Sequence, residues 1–110
     1  MLEERNFRLE RSWASLRGGL GQIYGVRLKG VCLYGSYARG EADGESDVDV
    51  IILLDEIGRY GEELDRTSML ISEISLKYGL SVSRVFASEK EWTLHGTPFL
   101  ANVREEAIPA

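Results

Sequence analysis

The sequence has few cysteines, histidines and prolines. It contains one cysteine, one histidine and two prolines in 110 residues. Cys32 has no partner, which excludes an intramolecular disulfide and a cysteine-based zinc site, and we expect a buried structural thiol in a reducing compartment. His95 is followed by Gly96 and is interpreted as a residue at the end of a helix rather than a catalytic group.

An excess of positive charge and a long apolar run are also absent. The 13 basic residues are outnumbered by 18 acidic ones, and the net charge of −5 argues against a surface that holds a nucleic-acid backbone. No apolar run approaches the roughly eighteen residues that span a bilayer. The first thirteen residues are charged and lack the apolar stretch of a signal peptide. We therefore expect no membrane association and a cytoplasmic location.

What is present is the composition of an ordinary globular protein. Apolar residues make up 44% of the chain and charged residues 28%. A chain of this size can bury a hydrophobic core of its own. We expect residues 1–110 to form a single domain.

Apolar periodicity predicts two long helices. The first is expected to end near the glycines of residues 18–21, and the second runs from Tyr60 to a glycine stop at Gly79. The stripe of the first helix is formed by Leu9, Trp13, Leu16, Leu20 and Ile23. Two short helices are expected to begin after Ser88 and at Thr97-Pro98.

Three stretches have the character of strands: residues 26–36, 46–56 and 80–88. The second contains an uninterrupted apolar run rich in β-branched residues, which is typical of a central strand buried on both faces. The order of elements predicts a small α/β domain in which helices flank a mixed sheet of three or four strands.

The stretch GSYARGEADGESDVDV, residues 35–50, contains two alternating aspartates. In a strand, Asp47 and Asp49 project to the same face, with their Cα atoms about 7 Å apart. Two such carboxylates repel each other unless a cation lies between them, and Mg²⁺ typically takes one or two protein carboxylates together with phosphate oxygens. Taken alone, the pattern also fits a solvated strand end.

The same stretch opens with a Gly-Ser pair where the first predicted strand ends. Gly35 allows a ligand to approach the backbone closely, and Ser36 begins a helix-like turn whose N–H groups are suited to bind phosphate. Arg39 supplies a cation one turn later. Individually, Ser36 also fits a plain helix cap and Arg39 a solvated surface residue, but together with the aspartates they predict a site for a nucleotide and a metal ion.

This stretch closely resembles the signature of the nucleotidyltransferases with a DNA polymerase β-like fold, in which a Gly-Ser pair, ten residues and Asp-x-Asp follow one another. Gly35 and Ser36, the ten residues 37–46, and then Asp47 and Asp49 match it without a gap. The following Ala-Arg-Gly and the segment FLANVREEAI resemble the minimal nucleotidyltransferases of bacteria and archaea. The resemblance implies that Asp47 and Asp49 hold Mg²⁺ and that Gly35 and Ser36 bind the nucleotide phosphates.

The sequence departs from that family in one respect. Family members usually carry a third carboxylate on a later strand, where it helps to bind a second metal ion and activates the attacking hydroxyl. The corresponding stretch here, residues 80–88, contains neither Asp nor Glu, and Ser83 or Arg84 stands near the expected place. Glu73 and Glu89 are the acids nearest in sequence.

The resemblance leaves three functions open. In the first, the protein transfers AMP from ATP to a hydroxyl of another protein; minimal nucleotidyltransferases often act as antitoxins that modify a HEPN-domain toxin in this way. In the second, which the missing acid favours, the chain is a non-catalytic module that neutralises or scaffolds a partner by contact. In the third, it is a subunit of an enzyme that modifies a small molecule such as an antibiotic. Self-association is left open.

Overall fold

The computed structural model describes residues 2–43, 47–94 and 96–109, with the side chains of the first helix described from residue 9 onward. Residues 44–46, which connect the Gly-Ser pair to the aspartates, and His95 lie outside the described residues. The described helices are α1 (Leu2–Tyr24), α2 (Tyr60–Tyr78), α3 (Glu89–Leu94) and α4 (Pro98–Glu106). The described strands are β1 (Leu28–Tyr34), β2 (Val48–Leu54), β3 (Val82–Ser88) and β4 (Ile108–Pro109).

The four strands form one mixed sheet in the order β3-β2-β1-β4. β2 pairs in parallel with β3 and antiparallel with β1, and β4 pairs antiparallel with the other edge of β1. Every residue of β2 except Asp49 is buried, as expected for a central strand covered on both faces. The predicted mixed α/β architecture is confirmed.

Different helices cover the two faces of the sheet. On one face, α1 and α2 pack over alternate residues of β2, among them Val50 and Ile52. On the other face, Leu100 and Val103 of α4 pack over Ile51 and Leu53. Asp49 belongs to the α4 face, because side chains alternate along a strand. None of the described helices is both long and apolar enough to cross a membrane.

Helix α1 continues through its glycines and ends at Tyr24, slightly beyond the predicted end near residues 18–21. Leu20 and Tyr24 are almost fully buried, so their packing offsets the roughly 1 kcal/mol that each glycine costs in a helix. Gly19 lies directly against the side chain of Leu70 and allows α2 to pack close to α1. The end of α2 is confirmed, with Gly79 in the left-handed conformation at φ 64°.

The C-terminal segment contains an element that the sequence did not predict. After α4 the chain forms the two-residue strand β4, in which Ile108 and Pro109 lie opposite Leu33 and Cys32. Cys32 is half-buried, rather than buried as expected. The return of the chain to β1 brings the end of α4 beside the loop that follows β1.

Candidate active site

The Gly-Ser pair and the Asp-x-Asp pair meet at one end of the sheet, where β1 ends and β2 begins. Gly35 is buried and has φ +78°, a conformation that side chains with a Cβ rarely adopt. A Cβ at this position would collide with Asp49 Oδ2 and lie 3.1 Å from Asp49 Cγ. The backbone at Gly35 thus touches the Asp49 carboxylate, and no residue larger than glycine fits between β1 and this side chain.

The loop after Gly35 forms a single helix-like turn, as expected from the sequence, but it does not continue into a helix. Its backbone is closed by Arg39 N–H to Gly35 O (3.1 Å), Gly40 N–H to Tyr37 O (3.3 Å) and Glu41 N–H to Ser36 O (2.9 Å). Gly40 adopts φ +72°, which leaves the right-handed helical region and ends the turn. Ser36 consequently does not cap a helix.

The first part of this turn has unused hydrogen-bonding groups. Among the described residues, the N–H groups of Ser36, Tyr37 and Ala38 and the hydroxyl of Ser36 have no hydrogen-bond partner. Consecutive N–H groups in a turn form a concave site that is suited to an anion. These groups are available to donate hydrogen bonds to phosphate, the role predicted for Ser36, without the dipole of a full helix.

The two aspartates differ in their surroundings. Asp49 lies within β2 and is half-buried, whereas Asp47 precedes the strand and is exposed. Burial raises the pKa of Asp49, and the negative charge of Asp47 raises it further, while Arg39 opposes both effects. The positive charge of Arg39 is therefore not enough to offset the burial of Asp49 and its repulsion by Asp47. Two carboxylates of this kind fit a hard cation such as Mg²⁺, whose remaining positions are filled by water and phosphate oxygens.

Glu106, the last residue of α4, is a site residue that sequence reasoning missed. Its Oε1 accepts a hydrogen bond from Gly35 N–H at 3.0 Å, and its Oε2 accepts one from Arg39 Nη1 at 3.0 Å. Arg39 also donates from Nε to Glu41 at 2.9 Å. The hydrogen bond from Arg39, followed by that from Gly35, lowers the pKa of Glu106, so that its carboxylate is ionised at neutral pH.

The position of Glu106 follows from the packing of α4. Leu100 and Val103 precede it at intervals of three residues, which places all three side chains on one face of the helix. Phe99 adds an edge-on contact with Tyr34, the residue opposite Asp49, with ring centroids 6.0 Å apart. Helical spacing from the apolar residues could have placed Glu106 on the inner face, but only the pairing of β4 with β1 reveals which loop it contacts.

The third carboxylate of the family pattern is absent from β3, as expected. Ser83 lies opposite Asp49 in the parallel register and shares its face of the sheet. Arg84 projects to the other face, where it donates to Thr67 Oγ1 and to Leu64 O, each at 2.7 Å. The sequence could not distinguish these two positions, and the register assigns the place to Ser83.

The two acids nearest in sequence do not replace the missing one. Glu73 lines a groove between α1 and α2 on the opposite face, and Glu89 begins α3 beyond the far end of β3. Within the described part of the chain, no three His, Cys, Asp or Glu side chains converge as a metal-binding group. A metal ion bound here would have Asp47 and Asp49 as its protein ligands, and its remaining ligands would be substrate oxygens or water.

The architecture and the Gly-Ser and Asp-x-Asp contact agree with a comparison to known protein families. Residues 14–110 match the model of the nucleotidyltransferase domain. The chain belongs to the nucleotidyltransferase family. A nucleotidyltransferase takes a nucleoside triphosphate as its substrate, and the predicted identity of the family and its transferase activity are confirmed.

Three similar nucleotidyltransferases come from the archaeon Methanocaldococcus jannaschii, and each carries the name "Putative protein adenylyltransferase". The first is 34% identical over 103 residues, which cover 88% of this chain and 92% of the relative. The second is 44% identical over 59 residues, covering 54% of this chain and 59% of the relative. The third is 30% identical over 76 residues, covering 66% of this chain and 50% of the relative.

Proposed function

We propose that the protein transfers AMP from ATP to a hydroxyl group of a partner protein, with Mg²⁺ held by Asp47 and Asp49. The observation that carries this proposal is the contact of Gly35 with the Asp49 carboxylate, because it supports a site in which N–H groups suited to phosphate lie beside carboxylates suited to a metal ion. The names of the archaeal relatives support a protein as the acceptor.

The residues of the turn would bind the triphosphate. The unused N–H groups that begin at Ser36, together with its hydroxyl, donate to phosphate oxygens, and the Arg39 guanidinium offsets their charge. Gly35 allows the phosphate chain to pass close to the backbone. Since Gly35 touches Asp49, a triphosphate on this turn lies beside the carboxylates.

Asp47 and Asp49 would hold Mg²⁺, which supplies charge neutralisation to the triphosphate when bound. In the reaction, the acceptor oxygen forms a bond to the α-phosphorus, the bond from that phosphorus to the bridging oxygen of the β-phosphate breaks, and pyrophosphate leaves. The proton of the acceptor hydroxyl passes to water, because Ser83 is not a base at neutral pH. The protein contributes positioning and charge in this account.

The exposure of the site is consistent with a macromolecular acceptor. Asp47 and Arg39 are exposed, so that the hydroxyl of a second protein can reach the reacting phosphorus without entering a deep cavity. A HEPN-domain protein is the partner that we propose, with this chain as its antitoxin, in the cytoplasm, where ATP and Mg²⁺ are available.

Label transfer tests the proposed function. The protein is incubated with Mg²⁺, ATP labelled at the α-phosphate and the product of the adjacent gene. We expect label on the partner with the wild type and with the control Asp65→Asn, which changes an exposed carboxylate of α2. The variant Asp47→Asn/Asp49→Asn should transfer none, and ATP labelled at the γ-phosphate should label nothing.

A specific observation supports one competing function. Ser83 lies beside Asp49, where the family usually has its third acid. The absence of that acid favours a non-catalytic binding module. A stable complex with the partner that never acquires the α-label would establish this second function and contradict the first.

A further inference from the structure

Glu106 contacts Arg39, which the proposed function places beside the triphosphate, and the N–H group of Gly35, the residue that begins the proposed phosphate-binding turn. Its two carboxylate oxygens accept hydrogen bonds from Gly35 N–H and Arg39 Nη1, both at 3.0 Å. A planar carboxylate with one oxygen on each of two donors presents the charge and spacing of two phosphate oxygens. A phosphate that bound to these two donors would have to displace Glu106 from them.

The geometry argues against Glu106 as a third metal ligand. Both of its oxygens are directed at hydrogen-bond donors, and the described acids do not converge into a three-residue metal group. Its negative charge also adds to the effect of Asp47 on Asp49. Glu106 thus stabilises the turn through its two hydrogen bonds, but its charge also repels the carboxylate of Asp49.

The Glu106 side chain is able to leave without disturbing the fold. α4 is anchored by Leu100 and Val103, which are 6% and 3% exposed, whereas the Glu106 side chain is 27% exposed at the end of the helix. The following residue, Ala107, is already extended. Rotation of one side chain releases both donors.

We propose that Glu106 is an internal placeholder that occupies the phosphate-binding donors Gly35 N–H and Arg39 until a nucleotide phosphate displaces it. This inference rests on the proposed function. Glu106 keeps the turn in its binding conformation and lowers the affinity for nucleotide, because each binding event must first break its two contacts. Glu41, which contacts Arg39 but not Gly35, competes for one donor only.

Nucleotide affinity tests the placeholder. Dissociation constants of MgATP and of inorganic tripolyphosphate are measured by calorimetry for the wild type, Glu106→Gln and the control Glu105→Gln, which changes the exposed neighbouring acid. Removal of a partly exposed charged competitor should tighten the binding of both ligands about three- to tenfold. Glu105→Gln should bind as the wild type does, and Glu106→Ala provides a second variant in case glutamine retains the contact.

A nuclear magnetic resonance measurement follows the displacement itself. Before ligand is added, the Gly35 amide resonance should differ between the wild type and Glu106→Gln, because its acceptor has changed. At saturating MgATP the two proteins should show the same Gly35 resonance, since a phosphate oxygen is then the acceptor in both. Resonances that remain different would show that Glu106 stays in place and would overturn the inference.

The outcomes separate the inference from the proposed function. If the wild type binds MgATP and Glu106→Gln binds it equally well or more weakly, only the placeholder is overturned. If neither protein binds MgATP, the proposed function fails and the placeholder fails with it. Tighter binding by Glu106→Gln together with convergent Gly35 resonances supports both.

Discussion

At the scale of single residues, the contact between Gly35 and Asp49 connects the two halves of the Gly-Ser and Asp-x-Asp signature. The ten residues that separate the two halves in the sequence do not by themselves bring them together. Because Gly35 has no Cβ, its backbone can lie against the Asp49 carboxylate. Burial and the charge of Asp47 raise the pKa of Asp49, and a bound cation would relieve both effects. The glycine and the acid therefore act as one unit.

Gly35→Ala should disrupt this unit more than any other glycine substitution in the turn. The new methyl group would collide with the Asp49 carboxylate and would also occupy a left-handed conformation. We expect a loss of about 1–3 kcal/mol in the free energy of unfolding, measured in urea, and at least about tenfold weaker MgATP binding.

Gly40→Ala is the matched control for this prediction. Gly40 has a similar φ of +72°, but a methyl group added there would meet no other part of the described chain within 4 Å. It should lose about 1 kcal/mol from backbone strain and retain its nucleotide affinity. Equal effects of the two substitutions on MgATP binding would contradict the role of the contact.

At the scale of secondary-structure elements, the helices and central strands were predictable because their signals are local. Apolar periodicity identified α1 and α2, and the buried run of β2 identified the central strand. The two-residue strand β4 and the hydrogen bonds of Glu106 to the turn after Gly35 were not predictable. Both depend on contacts between segments that are distant in the sequence.

For the candidate site, the sequence supplied the residues and the structure supplied their neighbours. Gly35, Ser36, Arg39, Asp47 and Asp49 follow from the signature, and their roles in binding stay predictions. Ser83 could be distinguished from Arg84 only through the parallel register of β2 and β3. A single domain over residues 1–110 also stays a prediction.

The packing of α1 against α2 includes a buried polar group whose removal should be costly. The Glu63 side chain is 3% exposed and accepts hydrogen bonds from Tyr24 Oη at 2.9 Å and from Arg66 Nη1 at 2.7 Å. Arg27, in the segment between α1 and β1, contacts the same carboxylate at 3.4 Å. Glu63 therefore connects both helices with the start of the sheet.

Glu63→Gln should lower the free energy of unfolding by about 1–3 kcal/mol, because the buried Tyr24 hydroxyl and the two arginines lose a buried, charged acceptor. Glu62→Gln, which alters an exposed acid at 3.9 Å from Arg66, should change it by less than about 0.5 kcal/mol. Urea titration of both variants measures the difference. A loss at Glu62 as large as that at Glu63 would contradict the importance of the buried group.

The same carboxylate gives the stability a defined pH dependence. Burial alone would raise the pKa of Glu63, but Arg66, Tyr24 and Arg27 outweigh it and lower the pKa. The contribution is therefore present above the unfolded-state pKa of about 4.3 and is lost as pH falls through the lower pKa of the folded state. Glu63→Gln should lose less stability than the wild type over this acidic range.

At the scale of the whole molecule, charge and exposure favour a substrate complex that brings its own cation. The protein carries a net charge of −5, and Asp47 and Glu106 add negative charge near Asp49, which Arg39 offsets only in part. A triphosphate alone is repelled by this field, and the positive charge of Mg²⁺ would reduce that repulsion. ATP binding should consequently depend on Mg²⁺, as the proposed function requires.

Calorimetric titration of ATP, with and without Mg²⁺, into the wild type and Asp47→Asn/Asp49→Asn tests this dependence most directly. The wild type should bind ATP at least about tenfold more tightly with Mg²⁺ than without it, a difference of about 1.4 kcal/mol. The double variant should show no such gain from Mg²⁺. Equal binding by the two proteins in the presence of Mg²⁺, or no binding by either, would contradict a nucleotide and metal site at Asp47 and Asp49.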